Sequence, residues 1–248
     1  MLASNFLESF HFMTQTVASI DRKVKLGASV ACANLARLED DLRELTACGI
    51  DSLHIDIMDG RFVSNFCLDF SLMETIGRIT DLPLDCHLMI EDPERYIGRA
   101  AATGAQFIAI HYEATPHAQK ALQQIREAGA RAGIALNPAT PVQCLEYILD
   151  DIDFATIMTV NPGAVGQKLI PAMLRKIADT RHMLDAAGYP AVEIQVDGNV
   201  SFAHIPAMVE AGATMLVGGT SSVFHNDYSI PDAVHAVRQM VERLGQAS

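Results

Sequence analysis

The sequence predicts an α/β protein in which eight parallel strands and their helices form a single (β/α)8 barrel. Short apolar segments rich in β-formers alternate with longer segments of helical period along most of the chain. There are eight such strand candidates, the number that closes a barrel, and 248 residues is a usual length for one. No linker or change of composition divides the chain, so we assign residues 25–248 to one domain. An open doubly wound sheet is the alternative.

The predicted strands are bounded by turn residues and carry many β-branched side chains. They are 25–30, 52–59, 83–90, 107–114, 131–138, 154–162, 191–198 and 214–219. We expect a helix after each strand, and several helical segments end in glycine, which suits a helix C-terminus. The clearest helices are 35–49, 92–104, 116–129 and 172–188. Residues 1–24 form an N-terminal extension, either a helix covering the barrel bottom or a neighbouring subunit, or a poorly ordered terminus.

Composition narrows the classes of protein to consider. Hydrophobic residues make up 50% of the chain and charged residues 19%, which is typical of a globular protein. There is no apolar run of about 20 residues and no basic signal segment, so we expect a cytoplasmic protein without a membrane partner. The five cysteines are scattered and odd in number, which favours reduced thiols. A net charge of -12 without a Lys/Arg cluster disfavours nucleic acid as a partner.

Charged side chains occur at alternate positions of several predicted strands, where a buried strand usually carries apolar residues. Because side chains alternate in direction along a strand, every second residue faces the barrel interior. The residues assigned to the interior in this way are His54, Asp56, Met58, Asp85, His87, Met89, Met158, Val160, Gln195 and Asp197. Several lie near the C-terminal ends of their strands, which is where barrel enzymes place their chemistry.

Four of these residues, His54, Asp56, His87 and Asp197, are predicted to meet at one level of the barrel. Buried without partners, they would be very costly. A divalent cation at their centre would neutralise the carboxylates and bind the imidazoles, so we interpret them as metal ligands. A hydrogen-bonded polar layer is the alternative. Two nitrogen and two carboxylate ligands suit Zn, Fe(II), Mn(II) or Co(II), and the sequence does not choose among these metals.

Glycine-containing turns follow the last three predicted strands, at 161–167, 197–199 and 218–222. Barrels of this kind often bind phosphate with backbone N–H groups at these positions, beside a short helix. Such a site needs no Lys or Arg, which explains how an acidic protein could hold an anion. Among the other polar residues, Asp59 is predicted to stabilise a turn. Asp85 is predicted either to bond a metal-bound imidazole or to pair with His111.

Several longer blocks carry a family resemblance. They are "HIDIMDGRFVSN", "LDCHLMIEDPERYI", "GAQFIAIHYEA", "ALNPATP", "MTVNPG", "VDGN" and "VGGTS". In order and spacing, residues 25–240 resemble the ribulose-phosphate 3-epimerase family. The resemblance implies a TIM barrel of the ribulose-phosphate-binding type and a homo-oligomer, either dimer or hexamer. Within the family, the wording of "PLDCHLM", "IPAMLRKI" and "VGGTS" is closer to the D-allulose-6-phosphate 3-epimerase branch.

The resemblance also implies residue roles and a reaction. The metal ligands would be His54, Asp56, His87 and Asp197, with Asp56 and Asp197 also the two acid/base groups, acting through an enediolate. Met58, Met89 and Met158 would shield the intermediate, although plain core packing is the alternative. The implied substrate contacts are Ser29, His87, Gly163, Ala164, Val165, Gly166, Gly198, Asn199, Gly219 and Thr220. The reaction would interconvert ribulose 5-phosphate and xylulose 5-phosphate, or allulose 6-phosphate and fructose 6-phosphate.

The chain departs from the family pattern at the substrate loops. Ala164 and Val165 stand where the family usually has Phe and a small residue, and Asn199 replaces the second glycine of "DGG". The segment that usually reads "SILSAD" in the family reads "SVACAN" here, at residues 29–34. Because the departures avoid the metal ligands, we expect the chemistry to be kept while the grip on the sugar or the phosphate differs.

Other functions remain alternatives. A different sugar-phosphate isomerase, aldolase or decarboxylase would usually carry Lys at a strand end, and the strand candidates here have none near their C-terminal ends. A non-catalytic barrel that binds a sugar phosphate would not need the acid/base residues. An epimerase of unphosphorylated ketoses would typically use Glu ligands and would not need three glycine turns.

Overall fold

Eight parallel strands close into a barrel in the computed structural model, which describes residues 23–247. The barrel strands are β1 Lys25–Ser29, β2 Ser52–Asp59, β4 Leu84–Met89, β5 Phe107–His111, β6 Arg131–Leu136, β7 Phe154–Met158, β8 Glu193–Asp197 and β9 Met215–Gly218. β1 pairs with both β9 and β2, which closes the sheet and excludes the open doubly wound alternative. Residues 1–22, most of the predicted extension, lie outside the described residues, so its role stays a prediction.

One short strand lies outside the predicted set. β3, Phe66–Cys67, pairs antiparallel with the end of β2 and forms a hairpin at the top of the barrel. The turn of this hairpin is held by Asp59, as expected, because its carboxylate accepts hydrogen bonds from the backbone N–H groups of Arg61, Phe62 and Glu91.

Seven α-helices occur among residues 23–247. They are α1 Leu38–Ala47, α2 Phe70–Ile79, α3 Ile97–Ala102, α4 Ala118–Glu127, α5 Ala172–Ala186, α6 Ile205–Glu210 and α7 Ile230–Ala247. The start of α2 is fixed by a local N-cap: the side chain of Asp69 accepts a hydrogen bond from the Leu72 N–H at 2.8 Å. None of the helices in the described range is both long and apolar enough to cross a bilayer.

The expectation of a helix after each strand is wrong for β6. The connection 137–153, which is described in full, contains two 3-10 helices instead, Val142–Leu145 and Leu149–Asp151. Val142, Leu145 and Ile148 are buried at intervals of three residues, which is the period of a 3-10 helix. Pro141 stands at the N-cap of the first of them, where a missing N–H costs no helical hydrogen bond.

The barrel interior is apolar at its base and polar above. Phe154 fills the base together with Ala109 and Met215. A Cβ on Gly133 would lie 2.2 Å from the Phe154 ring, so glycine is required there. Strand alternation is confirmed, because Leu53 and its alternate neighbours on β2 pack in the outer core under the helices. Register pairs the inward residues of β2 and β4 as His54 with Asp85, Asp56 with His87, and Met58 with Met89.

Candidate active site and metal centre

Four side chains converge at the C-terminal ends of β2, β4 and β8. One ligand atom from each of His54, Asp56, His87 and Asp197 lies within 4.8 Å of the others. Nε2 of His54 lies 3.2 Å from Oδ1 of Asp56 and 3.8 Å from Oδ2 of Asp197. Nδ1 of His87 lies 3.3 Å from the same Asp56 oxygen and 3.6 Å from the same Asp197 oxygen. The two carboxylates therefore face the two imidazoles across a shared centre.

His54 is oriented from behind by a buried polar chain. Its Nδ1 lies 2.7 Å from Oδ2 of Asp85, and the Gln195 amide donates to the same oxygen at 2.6 Å. The Thr156 hydroxyl in turn donates to Gln195 at 2.7 Å. Because a carboxylate only accepts, Nδ1 of His54 carries the hydrogen and Nε2 is turned toward the cluster. Of the two roles predicted for Asp85, the structure shows the bond to an imidazole.

His87 has a different support. Its Nε2 lies 2.9 Å from Nε2 of His111 on the neighbouring strand, and Nδ1 of His111 lies 3.3 Å from the Glu113 carboxylate. Both imidazoles are completely buried. Burial lowers the pKa of His111 to about 4, so this ring is uncharged at neutral pH. Burial acts against ionisation of Glu113, but its hydrogen bonds to His111, Thr140 and the Asn137 N–H prevail and lower its pKa to about 2.

The carboxylates and imidazoles of the cluster alter each other's ionisation. Burial disfavours the charged form of Asp56, but His54 and His87 outweigh it and hold the pKa of Asp56 well below its ordinary value. Burial likewise disfavours a charged His54, but Asp85 and Asp56 raise its pKa well above the ordinary value. The pKa of His87 is raised for the same reason, by Asp197 and Asp56. Without a cation, the cluster therefore binds protons tightly.

The donor set fits a divalent metal ion. Nδ1 of His87 is buried and makes no hydrogen bond of acceptable geometry within residues 23–247, although two carboxylate oxygens lie nearby. A ring nitrogen aimed between two carboxylates is the arrangement expected of a ligand. Zinc and other first-row divalent ions accept two imidazoles and two carboxylates. The residues present can thus hold one such ion, while the choice of metal stays open.

A cavity opens directly above this cluster. Asp56 and Asp197 reach its floor, and the sulfur-bearing side chains of Met58, Met89 and Met158 line it. Met89 and Met158 are each 2% exposed, so the walls beside the carboxylates are dry and polarizable. Ser29 also lines the cavity, with its hydroxyl 3.4 Å from Oδ2 of Asp56.

Residues of the three glycine turns also line the cavity. Gly163, Gly166 and Gly198 have φ values of 105°, 78° and 108°, in the left-handed region that favours glycine. Asn199 follows with φ 48°, and its side-chain amide lies 3.4 Å from the Ser221 hydroxyl, which joins the turns after β8 and β9. After β9, hydrogen-bonded turns over residues 219–225 stand in place of the expected short helix.

Nearly all residues assigned to the site from sequence surround this one cavity. The predicted substrate contacts among its lining are Ser29, Gly163, Ala164, Val165, Gly166, Gly198, Asn199, Gly219 and Thr220. His87, also assigned to substrate, lies buried beneath the cavity instead. Cys32, noted only as a departure from the family wording, lines the cavity too, and burial raises the pKa of its thiol.

The loop 161–167 is held by contacts that sequence analysis did not identify. Gln167 donates to the Ala164 carbonyl at 3.0 Å, and Asn65 of the β2–β3 hairpin donates to the Gly163 carbonyl at 3.1 Å. A Cβ on Gly163 would lie 2.8 Å from Val63, so the hairpin and the loop pack closely. The contacts of Asn65 and Val63 with Gly163 join segments about 100 residues apart, so no local sequence pattern predicts them.

The fold and the cluster define a class of protein, a (β/α)8 barrel with a candidate metal centre at the C-terminal ends of its strands. The sequence model of the ribulose-phosphate 3 epimerase family matches residues 25–224. Ribulose-phosphate 3-epimerase of Bacillus subtilis is 43% identical over 204 residues, covering 82% of this chain and 94% of that protein. The chain belongs to the ribulose-phosphate 3-epimerase family and is an isomerase of the epimerase class.

Further relatives agree with this assignment. The chloroplastic ribulose-5-phosphate-3-epimerase of Arabidopsis thaliana is 37% identical, covering 88% of this chain and 80% of that protein. The Escherichia coli K12 ribulose-phosphate 3-epimerase is 35% identical, and the match covers 90% of this chain and 97% of that protein. Among solved structures, KGPDC from Streptococcus mutans matches with a TM-score of 0.67 at 13% identity, covering 90% of this chain and 99% of that chain. At that identity the likeness supports the barrel fold alone.

Proposed function

We propose that the protein catalyses metal-dependent 3-epimerisation of a ketose phosphate, with Asp56 and Asp197 as its two acid/base groups. One observation carries the proposal. The two carboxylates stand on β2 and β8, which are separated in the barrel by β1 and β9, and both reach the floor of one cavity. They can therefore approach a bound sugar from two sides.

Epimerisation at C3 needs a proton removed from one face of the carbon and another returned to the opposite face. A single carboxylate could only exchange the proton on its own face, so two are required. Asp56 is kept ionised by the two imidazoles, so its carboxylate is free to accept a proton. The position of Asp197 is held by a backbone hydrogen bond, in which its carbonyl accepts the N–H of Thr159 at 2.7 Å. In this mechanism each carboxylate is the base for one epimer and the acid for the other.

His54, Asp56, His87 and Asp197 would hold the metal ion. A divalent cation bound there would supply positive charge against the negative charge of the enediolate, an effect worth several kcal/mol. The chain itself supplies the dry environment that makes such electrostatic interactions strong. Met58, Met89 and Met158 exclude water from the floor of the cavity and so protect the intermediate from side reactions.

The phosphate of the substrate would lie against the glycine turns. Glycine has no side chain to keep a phosphate from backbone N–H groups, and the positive φ values at Gly163, Gly166 and Gly198 are those of turns that form such anion-binding surfaces. The cluster carboxylates Asp56 and Asp197 and the glycine turns line the same cavity, as a site for both the sugar and the phosphate of one substrate requires. An acidic chain can bind an anion in this way.

The relatives named above act, by their names, on ribulose phosphate, and this supports ribulose 5-phosphate and xylulose 5-phosphate as the substrate pair. Allulose 6-phosphate is the second candidate, favoured by the wording of "PLDCHLM", "IPAMLRKI" and "VGGTS". The altered turn residues Ala164, Val165 and Asn199, all of which line the cavity, support a changed grip on the sugar or the phosphate. A barrel redirected to another sugar phosphate is the remaining alternative. We also infer a cytoplasmic homo-oligomer, dimer or hexamer, from the family resemblance, and light scattering would test the oligomeric state.

The test is product analysis with purified protein. Metal-loaded protein, a chelator-stripped sample and the Asp197→Asn variant would be incubated with ribulose 5-phosphate and, separately, with allulose 6-phosphate. We expect xylulose 5-phosphate from the first substrate, only with metal and only with Asp197 present. An exposed aspartate, Asp227, whose side chain is 83% exposed, provides the matched control as Asp227→Asn. Folded, metal-bound protein that converts neither substrate would contradict the proposal.

A further inference from the structure

We propose that His111 and Glu113 are positioning residues that fix the tautomer and orientation of His87 toward the metal ion. The inference rests on the proposed metal centre and extends it beyond the four ligands. His54 receives direct support from the Asp85 carboxylate, whereas His87 has no carboxylate behind it in the described structure. Its support passes through a second imidazole instead.

The geometry of the hydrogen-bonded series of His87, His111 and Glu113 is tightly constrained. The His87 and His111 rings lie nearly parallel, with centroids 5.0 Å apart and an interplanar angle of 22°, and their Nε2 atoms are 2.9 Å apart. The Phe62 ring packs on the other side of His111 at 4.6 Å. Both histidines have no exposed surface, so neither ring can turn without displacing its neighbours.

The hydrogen positions follow from the partner at the end of the chain. The Glu113 carboxylate can only accept, so Nδ1 of His111 carries its hydrogen and donates to Glu113. The 2.9 Å contact between the two Nε2 atoms needs one donor and one acceptor; with the hydrogen of His111 on Nδ1, its Nε2 is the acceptor and Nε2 of His87 donates. An uncharged His87 that donates from Nε2 has its lone pair on Nδ1. That atom is the one facing Asp56 and Asp197.

Glu113 is itself anchored to the barrel. Its Oε1 accepts the backbone N–H of Asn137 at 2.8 Å and the hydroxyl of Thr140, while Oε2 faces His111. Asn137 directly follows β6, and its carbonyl accepts a 2.6 Å hydrogen bond from Lys176 on α5. The position of His87 is therefore set by backbone two strands away, which gives a metal ligand a rigid support.

Glu113→Gln tests this arrangement because an amide cannot satisfy every partner. If its oxygen faces Asn137 and Thr140, its NH2 group faces His111 and forces the other tautomer on that ring. His87 would then have to accept at Nε2 and carry its hydrogen on Nδ1, where the metal binds. His111→Phe removes the acceptor, whereas His111→Gln offers a side-chain oxygen that can replace it.

The experiment measures metal affinity rather than turnover. Metal-free protein would be titrated with Zn²⁺ against a chromophoric chelator and with Co²⁺ by absorption, and thermal unfolding of each metal-free variant would be recorded. We expect affinity about 10-fold to 100-fold lower for Glu113→Gln and His111→Phe, with a changed Co²⁺ spectrum, and partial recovery for His111→Gln. Glu94→Gln is the matched control, since the Glu94 carboxylate also accepts a hydroxyl, from Thr115, but is not hydrogen-bonded to His111 or His87 in the described structure.

Each outcome bears on the inference. Glu113→Gln and His111→Phe that bind both metals within twofold of the wild-type protein would overturn the positioning role and leave the proposed function standing. Equal losses in His111→Gln and His111→Phe would also overturn it, because the acceptor would not matter. A wild-type protein that binds neither metal would overturn both the positioning role and the proposed function.

Discussion

The carboxylate of Asp85 lies 2.7 Å from Nδ1 of His54, with both side chains fully buried in the barrel. His54 and Asp85 are directly paired in the register of β2 and β4. Gln195 donates to the same Asp85 oxygen from across the barrel. Nε2 of His54 is thereby directed at the carboxylates of the cluster. The support of this one imidazole comes from three different strands.

Asp85→Asn should weaken metal binding. The oxygen of an asparagine carries no negative charge, so its hydrogen bond to Nδ1 of His54 is weaker, and its NH2 group would take the place of Oδ1, which is buried without a hydrogen-bond partner in the described structure. We expect affinity to fall about 10-fold to 100-fold, measured by chelator competition. Thr156→Val is the control, because it removes the far end of the same chain while leaving the His54 contact in place. Wild-type affinity in Asp85→Asn would contradict this role.

Metal binding should release protons, and affinity should fall as pH is lowered. The pKa of His54 is raised well above its ordinary value in the metal-free cluster, so a proton must leave before Nε2 can bind a cation. At lower pH a larger fraction of His54 is protonated, and the proton competes with the metal ion for Nε2. The same raised pKa stabilises the metal-free fold below about pH 6.5, a contribution lost as pH rises through the folded pKa. Calorimetry in buffers of different ionisation enthalpy measures the protons released, and no release at pH 7 would refute the prediction.

Asn199→Gly should affect substrate binding more than turnover. Glycine accepts the φ of 48° at this position, so the fold should be unaffected, while the side-chain amide that lines the cavity is lost. If that amide donates to the substrate phosphate, KM should rise about tenfold at unchanged kcat, as expected for one hydrogen bond to a charged group. Steady-state kinetics decides this, and an unchanged KM would show that Asn199 serves only to join the two turns.

Much of the fold and the cluster could be predicted because both follow from local periodicity. Alternation along 52–59 and 83–90 assigns each side chain to the inside or the outside, and the structure has Leu53 in the outer core and His54 within. The regular alternation of strands and helices indicates the barrel. Resemblance to the family over several blocks, now supported by the relatives, added the reaction class.

What could not be predicted depends on contacts between distant segments. Alternation placed Asp85 inside without saying whether His54 or His111 would meet it, because that choice depends on the stagger of neighbouring strands. The bond between His87 and His111 has the same origin. The 3-10 helices after β6 could not be predicted, because elements of three or four residues are too short to show a helical period in the sequence.

The central claim is that Asp56 and Asp197 exchange protons with C3 of a ketose phosphate from opposite faces. The most direct test is proton NMR in D2O with metal-loaded protein and ribulose 5-phosphate, beside a chelator-stripped sample and Asp197→Asn. Our account predicts that the epimer forms with deuterium at C3, and that neither control forms it. An epimer that keeps its original proton, or wild-type turnover by Asp197→Asn, would contradict the two-carboxylate mechanism.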